Sequence, residues 1–234
     1  MSEVTILGNG PSREGFDILG CNHEVWGCNA IHRDTTACDI LFAVDIVMQV
    51  EIVKSDYYRG NLVAFADIDP LPIEMMDLMK PGFEYSHEVN VTTKPDDTHF
   101  IIQGDGETTD FLGLIRPELI VTYNDPLLRN LFTGMSALGY AMLHNYTTIN
   151  MVGFDALQGD DAGNIYAGSD NYAYPQAFNA QRSQFIALLK EFNNCSVYFK
   201  NPLDKEGAIR YNELPYYENS ERWILGVGFP SEVS

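Results

Sequence analysis

The chain has 234 residues, enough for one good-sized domain or two small ones with a real hydrophobic core. Its 45% hydrophobic and 12% aromatic content excludes an intrinsically disordered chain. Against 14 Lys and Arg stand 33 Asp and Glu, a formal charge of −19, which excludes a general basic nucleic-acid surface because phosphate affinity comes largely from Lys and Arg releasing counterions. No apolar run of about 18 residues occurs, and MSEVTILGNG lacks the basic flank and cleavage pattern of a signal peptide. A soluble, cytoplasmic protein without a membrane span is expected. Cys21, Cys28, Cys38 and Cys195 show no C-x-x-C spacing, which predicts reduced structural thiols rather than a zinc site or a disulfide framework.

In chain order, Val4 to Leu7 reads as a strand running into Gly8-Asn9-Gly10-Pro11-Ser12. Two glycines let that loop turn tightly and approach a ligand, while Asn9 and Ser12 offer neutral hydrogen-bonding groups. Extended segments at His23 to Cys28 and Asp39 to Val44 end at Asn29 and Asp45, and Asn61 to Ala66 leads to Asp67 and Asp69. Each apolar run thus delivers a polar residue at its carboxyl end, where open parallel sheets bind ligands. The pattern predicts an α/β fold: a single Rossmann-like domain over 1–234, a mostly parallel sheet flanked by helices.

Residues 83–106 read as an inserted excursion or lid. Leu128, Leu131, Met135, Leu138 and Met142 recur at helical spacing, predicting an amphipathic helix over Pro126 to Asn145 packed on the sheet. A strand at Thr148 to Val152 ends at Gly153-Phe154-Asp155, and the Gly-, Asp-, Asn- and Tyr-rich stretch 157–175 reads as an active-site loop. A helix over Asn179 to Asn193 and a strand at Ser196 to Phe199 follow. The tail carrying Tyr216, Tyr217 and Trp223 is expected to pack back on the domain.

Three stretches together resemble a family: the first strand with Gly8-Asn9-Gly10-Pro11-Ser12, then Cys28-Asn29, then Thr133-Gly134-Met135-Ser136 opening a helix that leads to Val152-Gly153-Phe154-Asp155. In this order they look like the bacterial sialyltransferases of glycosyltransferase family 42, which transfer sialic acid from its CMP-activated donor. The likeness spans about residues 1–45 and 126–202. It implies that Gly8, Asn9, Gly10 and Ser12 surround the nucleotide and phosphate, that Asn29 contacts the donor, and that Gly134 and Ser136 lie near the ribose or base. It also implies a tyrosine that binds the donor phosphate and helps it leave, and Tyr166 matches that position best. A departing phosphate gains negative charge, which phenol hydroxyls and backbone N–H groups can stabilise without a metal.

Two departures matter. Asp45 stands where the family has an asparagine, and a carboxylate there would repel an anionic sugar, which points to a neutral one. The family's general-base histidine has no counterpart in Asn171-Tyr172-Ala173-Tyr174-Pro175-Gln176, so a carboxylate is expected to take its place, with Asp45, Asp155 and Asp170 as candidates in that order. His32, shortly after Asn29, is a further candidate.

The expected activity is therefore sugar transfer from a nucleotide-activated donor to a hydroxyl acceptor, with Asp45, Tyr166 and Asp155 as catalytic residues and no cofactor. The acceptor stays open among a glycan, a small molecule and a hydroxymethylated base of viral DNA, the last placing the protein in a host cytoplasm. The oligomeric state is open as well. An alternative rests on Asp67-Ile68-Asp69, a pair that in many other glycosyltransferases holds Mn²⁺ or Mg²⁺. The Gly-x-Gly-Pro-Ser and Gly-Phe-Asp patterns also look like the 6-hydroxymethylpterin pyrophosphokinase-like proteins, which implies ATP-dependent pyrophosphate transfer. A non-catalytic nucleotide-binding protein of the same fold is the third possibility.

Overall fold

Runs of Val, Ile, Leu, Phe and Trp that are apolar on both sides, with no polar alternation, form strands covered on both faces, and such strands pair in parallel. The computed structural model describes residues 2–57, 61–66, 98–103, 121–122, 131–158, 163–172, 178–192, 195–199 and 209–210. Among these, strands β1 (Glu3–Leu7), β2 (Glu24–Cys28), β3 (Ile40–Ala43), β4 (Leu62–Ala66), β5 (Thr98–Gln103), β6 (Val121–Thr122), β7 (Thr148–Val152), β8 (Ser196–Phe199) and β9 (Ile209–Arg210) form one sheet, in the order β6-β5-β4-β3-β2-β1-β7-β8-β9. The six central strands, β4 through β8 in that order, are mutually parallel. Only the outer strands β5, β6 and β9 pair antiparallel. The fold is α/β and Rossmann-like.

Among the described residues four helices accompany the sheet: α1 (Ile46–Lys54), α2 (Thr133–Leu143), α3 (Asp155–Gln158) and α4 (Phe178–Glu191). Short 3-10 turns follow β1 at Pro11–Arg13 and β2 at Asn29–Arg33. One core layer joins Val4, Ile6, Trp26, Phe42, Ile149 and Met151 of the sheet to Leu138 and Met142 of α2 and Phe185 and Leu188 of α4. On the opposite face Leu7, Val25, Leu41, Val63 and Val152 pack with Met48 and Ile52 of α1. No described helix is long and apolar enough to cross a membrane, and all four cysteines are free, Cys28 and Cys38 being buried.

The structure departs most from the sequence expectation in α2 and within 83–106. α2 begins at Thr133, because Phe132 is extended (ψ 150°) and donates its N–H to Gln184 Oε1 of α4 at 3.0 Å. Nor is α2 two-faced: residues Thr133 through Met142 are buried apart from Gly134, since α4 covers the side that the sheet leaves open. Within 83–106, the described residues 98–103 are β5, an antiparallel continuation of the sheet beside β4. The remainder of that excursion, Asp67, Asp69 and the aromatic tail lie outside the described residues.

The loops after β1 and β7 approach so closely that glycine is required. Gly153 has φ +77°, and a Cβ on it would lie 2.7 Å from the Gly8 carbonyl oxygen. Left-handed backbone costs an L-residue about 1–2 kcal/mol and overpacking adds about 1–3. Gly153→Ala is therefore expected to lower stability by about 2–5 kcal/mol, read as a reduced urea midpoint at unchanged slope.

Candidate functional site

Open parallel sheets bind ligands outside the strand carboxyl ends, at the point where strand order reverses. Here that point lies between β1 and β7, because β2, β3 and β4 extend from β1 in one direction while β7 and β8 extend in the other. A cavity of about 370 Å³ opens there. Gly8, Asn9 and Gly10 line it from the loop after β1, Cys28 and Asn29 from the end of β2, and Asp45 from the end of β3. Thr133 and Gly134 open α2 onto it, Gly153 to Ala156 close it after β7, and Asn164, Asn171 and Tyr172 reach it from the loop 163–172. Among the described lining residues none is Lys, Arg or His.

The first loop is bonded across to the last. Gly8 N–H donates to Val152 O at 2.7 Å and Gly10 N–H to Gly153 O at 2.8 Å. Ser12 donates its hydroxyl to Asp155 Oδ2 at 2.9 Å and its N–H to Oδ1 at 3.2 Å, while its Oγ accepts from Gly153 N at 3.2 Å. Asp155 thus reaches the cavity with its carboxylate already engaged, and Ser12 acts as a tether outside the cavity wall.

Asn29 sits at φ 54°, a left-handed conformation that asparagine tolerates better than most residues. Its Oδ1 accepts from Thr133 Oγ1 at 2.9 Å, which ties the end of β2 to the start of α2. No side chain caps the first amides of α2, so its positive end faces the cavity. Gly134 permits this approach, since a Cβ there would stand 2.3 Å from the Phe154 ring. Ser136 lies deeper in α2, fully buried, with its hydroxyl donating to Phe132 O at 3.2 Å and away from the cavity wall.

Asp45 precedes α1, and its carbonyl accepts the N–H groups of Met48 and Gln49, both at 3.0 Å. Its carboxylate has no hydrogen-bond or ion-pair partner among the described residues. The side chain stays open to solvent while the cavity wall desolvates one flank, and that desolvation raises its carboxyl above the ordinary value. The Cys28 thiol, also at the wall, is pushed well up by burial and stays protonated, which removes it as a nucleophile.

Tyr166, the sequence candidate for the leaving-group role, is turned elsewhere. Its hydroxyl donates to Asp34 and accepts from Arg13 Nη2 at 2.7 Å, and it does not line the cavity. Burial and the Asp34 hydrogen bond push its hydroxyl up to about 12. The tyrosine at the cavity is Tyr172, whose oxygen accepts from Asn9 Nδ2 at 2.6 Å and from Ala30 N at 3.4 Å. With those lone pairs taken, its own proton is left to donate. Burial raises the Tyr172 hydroxyl, the N–H of Ala30 and the side chain of Asn29 pulling the other way without offsetting it, so it stays protonated at neutral pH. Asn9 Oδ1 is buried with no described partner. Tyr172 follows Asn171, which sits in the left-handed region at φ 63°, and residue spacing alone does not set this tyrosine apart from Tyr166.

His32 is likewise directed away, its Nδ1 at 3.0 Å from Asn29 O and its Nε2 at 3.3 Å from Glu51 Oε1. Asp170 does not line the cavity; its carbonyl accepts from Arg33 Nη2 at 2.9 Å. No group of three or more His, Cys, Asp or Glu among the described residues is arranged to hold a metal.

The loop 163–172 is held over the cavity by two arginines. Arg33 forms a two-point pair with Glu51 at 2.6 and 2.7 Å and bonds Ser169 Oγ at 2.8 Å, while Asn171 Nδ2 reaches Glu51 Oε2 at 2.7 Å. The guanidinium carbons of Arg13 and Arg33 lie 5.4 and 5.6 Å from the Tyr166 ring centre. No protein-family model, curated protein or solved structure matches this chain.

The hydrogen bond and charge of Arg33 hold the Glu51 carboxyl below its ordinary value of 4.5. A carboxyl depressed in the folded state contributes fully above its unfolded value and is lost as pH falls through the folded one. Protection of the amides across 163–172, taken relative to their intrinsic exchange rates, is expected to hold at neutral pH and to fall only as pH drops below 4.5. In Glu51→Gln that protection is lower already at neutral pH and shows no such acid step.

Proposed function

We propose that the protein is a glycosyltransferase that moves a sugar from a nucleotide-activated donor to a hydroxyl acceptor, with the donor nucleotide in the cavity between β1 and β7. The observation that carries this is the convergence, at the reversal point of the sheet, of Gly8-Asn9-Gly10, Asn29, Gly134 and Asp155 around about 370 Å³. These segments are far apart in the chain and share one wall. The resemblance to the family 42 sialyltransferases runs through the same segments.

In the proposed step Asp45 takes the proton of the acceptor hydroxyl, and the acceptor oxygen forms the new bond at the anomeric carbon. The bond from that carbon to the donor phosphate breaks, and the phosphate leaves with the electron pair. Tyr172 donates its hydroxyl proton in a hydrogen bond to a phosphate oxygen, and the first amides of α2 face the developing charge. Asp45 suits the base role because it is the cavity carboxylate without a described partner, and its raised pKa brings it toward neutral pH. Asp155 acts as a positioning residue through Ser12. A carboxylate at the sugar end favours a donor sugar without negative charge.

Isothermal titration against CMP, UDP, GDP and ATP tests the nucleotide site, and absence of binding by all four at about 1 mM would end the proposal. ATP binding that requires Mg²⁺, without binding of the others, would replace it with pyrophosphate transfer. Asp45→Asn is expected to lower turnover by about 10²–10⁴-fold with nucleotide affinity retained, and the acid limb of the wild-type rate profile to lie above the ordinary carboxylate range. Tyr172→Phe is expected to lose roughly 10²-fold in kcat, whereas Tyr166→Phe leaves the chemical step unchanged.

A further inference from the structure

We propose that a second cavity binds a neutral, flat heterocycle whose edge carries a hydrogen-bond donor beside an acceptor. This cavity has a volume of about 620 Å³ and shares no described lining residue with the first. Its apolar lining is Leu7, Phe16, Ile18 and Ile165, and its polar lining includes Arg13 and Asp34.

Arg13 is only 8% exposed, but none of its guanidinium nitrogens is a buried atom left without a partner, so those not bonded to described residues are not sealed from their surroundings. Among the described residues only Nη2 finds partners, donating to Asp34 Oδ2 at 2.8 Å and to the Tyr166 hydroxyl at 2.7 Å. Nε and Nη1 have no partner among the described residues. Asp34, whose side chain is 49% exposed, accepts through Oδ2 from both Arg13 and Tyr166, and its Oδ1 accepts from none of the described residues. One wall therefore offers donor groups beside an acceptor oxygen.

Charge selects among ligands that could meet that pair. Glu14 and Asp34 line the cavity against the single guanidinium of Arg13, so an anion gains no net attraction. Aliphatic and aromatic side chains facing the same space favour the flat face of a ring. A purine bearing an exocyclic amine next to a ring nitrogen supplies the complementary donor and acceptor, as the edge of adenine does. Ile165 N–H bonds Asn9 O at 2.9 Å, and Tyr166 shares Arg13 and Asp34 with the proposed ligand, so occupancy would bear on the loop over the first cavity.

The test is amide chemical-shift mapping of the full-length, nitrogen-15-labelled protein with free adenine at about 1 mM. Saturable shifts are expected at Gly15, Phe16 and Thr35. Purine, which lacks the amine, should bind at least tenfold more weakly to the unmodified protein, and benzoate should leave the same amides unshifted. Ile165 is 43% exposed, so Ile165→Trp can fill the cavity mouth on a surface position, and it should weaken adenine at least tenfold with an unchanged melting temperature. Shifts that are absent, that are confined to Gly134 and Asn164 of the first cavity, or that persist undiminished in Ile165→Trp would overturn the proposal. So would equal binding of purine and adenine.

Discussion

The site depends on the contact between the loop after β1 and the loop after β7. Two parallel strands that are neighbours in the sheet but separated by well over a hundred residues must end within van der Waals reach of each other. The Gly8 and Gly10 amides bridge the gap to Val152 O and Gly153 O. Side chains on these glycines would occupy the space that the partner backbone already fills. Once this contact forms, Asp155 reaches Ser12, the first loop is fixed, and the cavity has one rigid wall. Every later feature is measured from that wall: Asn9 is aimed at Tyr172, and the Asn9 carbonyl receives Ile165.

Opposite it stands a wall made by polar tethers between elements. Thr133 joins the end of β2, through Asn29, to the N-terminus of α2, and Val44 N–H reaches the same hydroxyl at 3.4 Å. The loop 163–172 has little apolar content of its own. It is held instead by the arginines of two successive 3-10 turns, with Tyr166 between their guanidinium groups. Such a loop is ordered by charge and hydrogen bonding, so its stability follows the protonation of Glu51 more closely than the stability of the core does.

Strand positions were legible in the sequence because burial on both faces leaves an uninterrupted apolar run that polar or glycine residues end. β7 and β8 have the bounds read from the sequence, β1, β2 and β4 differ from it by one residue at one end, and β3 is one residue shorter at each end. The polar residue at each strand end was legible for the same reason, and Asn29, Asp45 and Asp155 do meet at one cavity. The start of α2 was not, because Leu128 and Leu131 fit helical spacing while the contact that sets Phe132 extended comes from Gln184, far along the chain. That Tyr172 lines the cavity while Tyr166 does not was illegible for a related reason. Spacing along a loop does not say where its hydroxyls point; the arginines at positions 13 and 33 and the left-handed turn at Asn171 decide that. Ser12 and Ser136 were placed near the right elements, but each spends its hydroxyl on the protein itself.

The cavity also shows how two like residues come to differ. Asp45 and Asp155 each follow a parallel strand and each line the same space. Asp155 accepts an N–H and an O–H from Ser12, which occupy its lone pairs. The Asp45 carboxylate accepts nothing from the described residues, and partial desolvation works against its charge. In the proposed transfer, two carboxylates that were equivalent by position are thereby separated into a fixed tether and a proton acceptor. The same wall carries no described cationic side chain, so charge developing on a leaving phosphate would fall to neutral donors, the Tyr172 hydroxyl and the first amides of α2. Neutral dipoles that are already oriented need no reorganisation as charge develops, and the exclusion of water strengthens each of them. The acidity of the chain as a whole is then compatible with an anionic leaving group, because the work of stabilising it rests on oriented dipoles instead of on net charge.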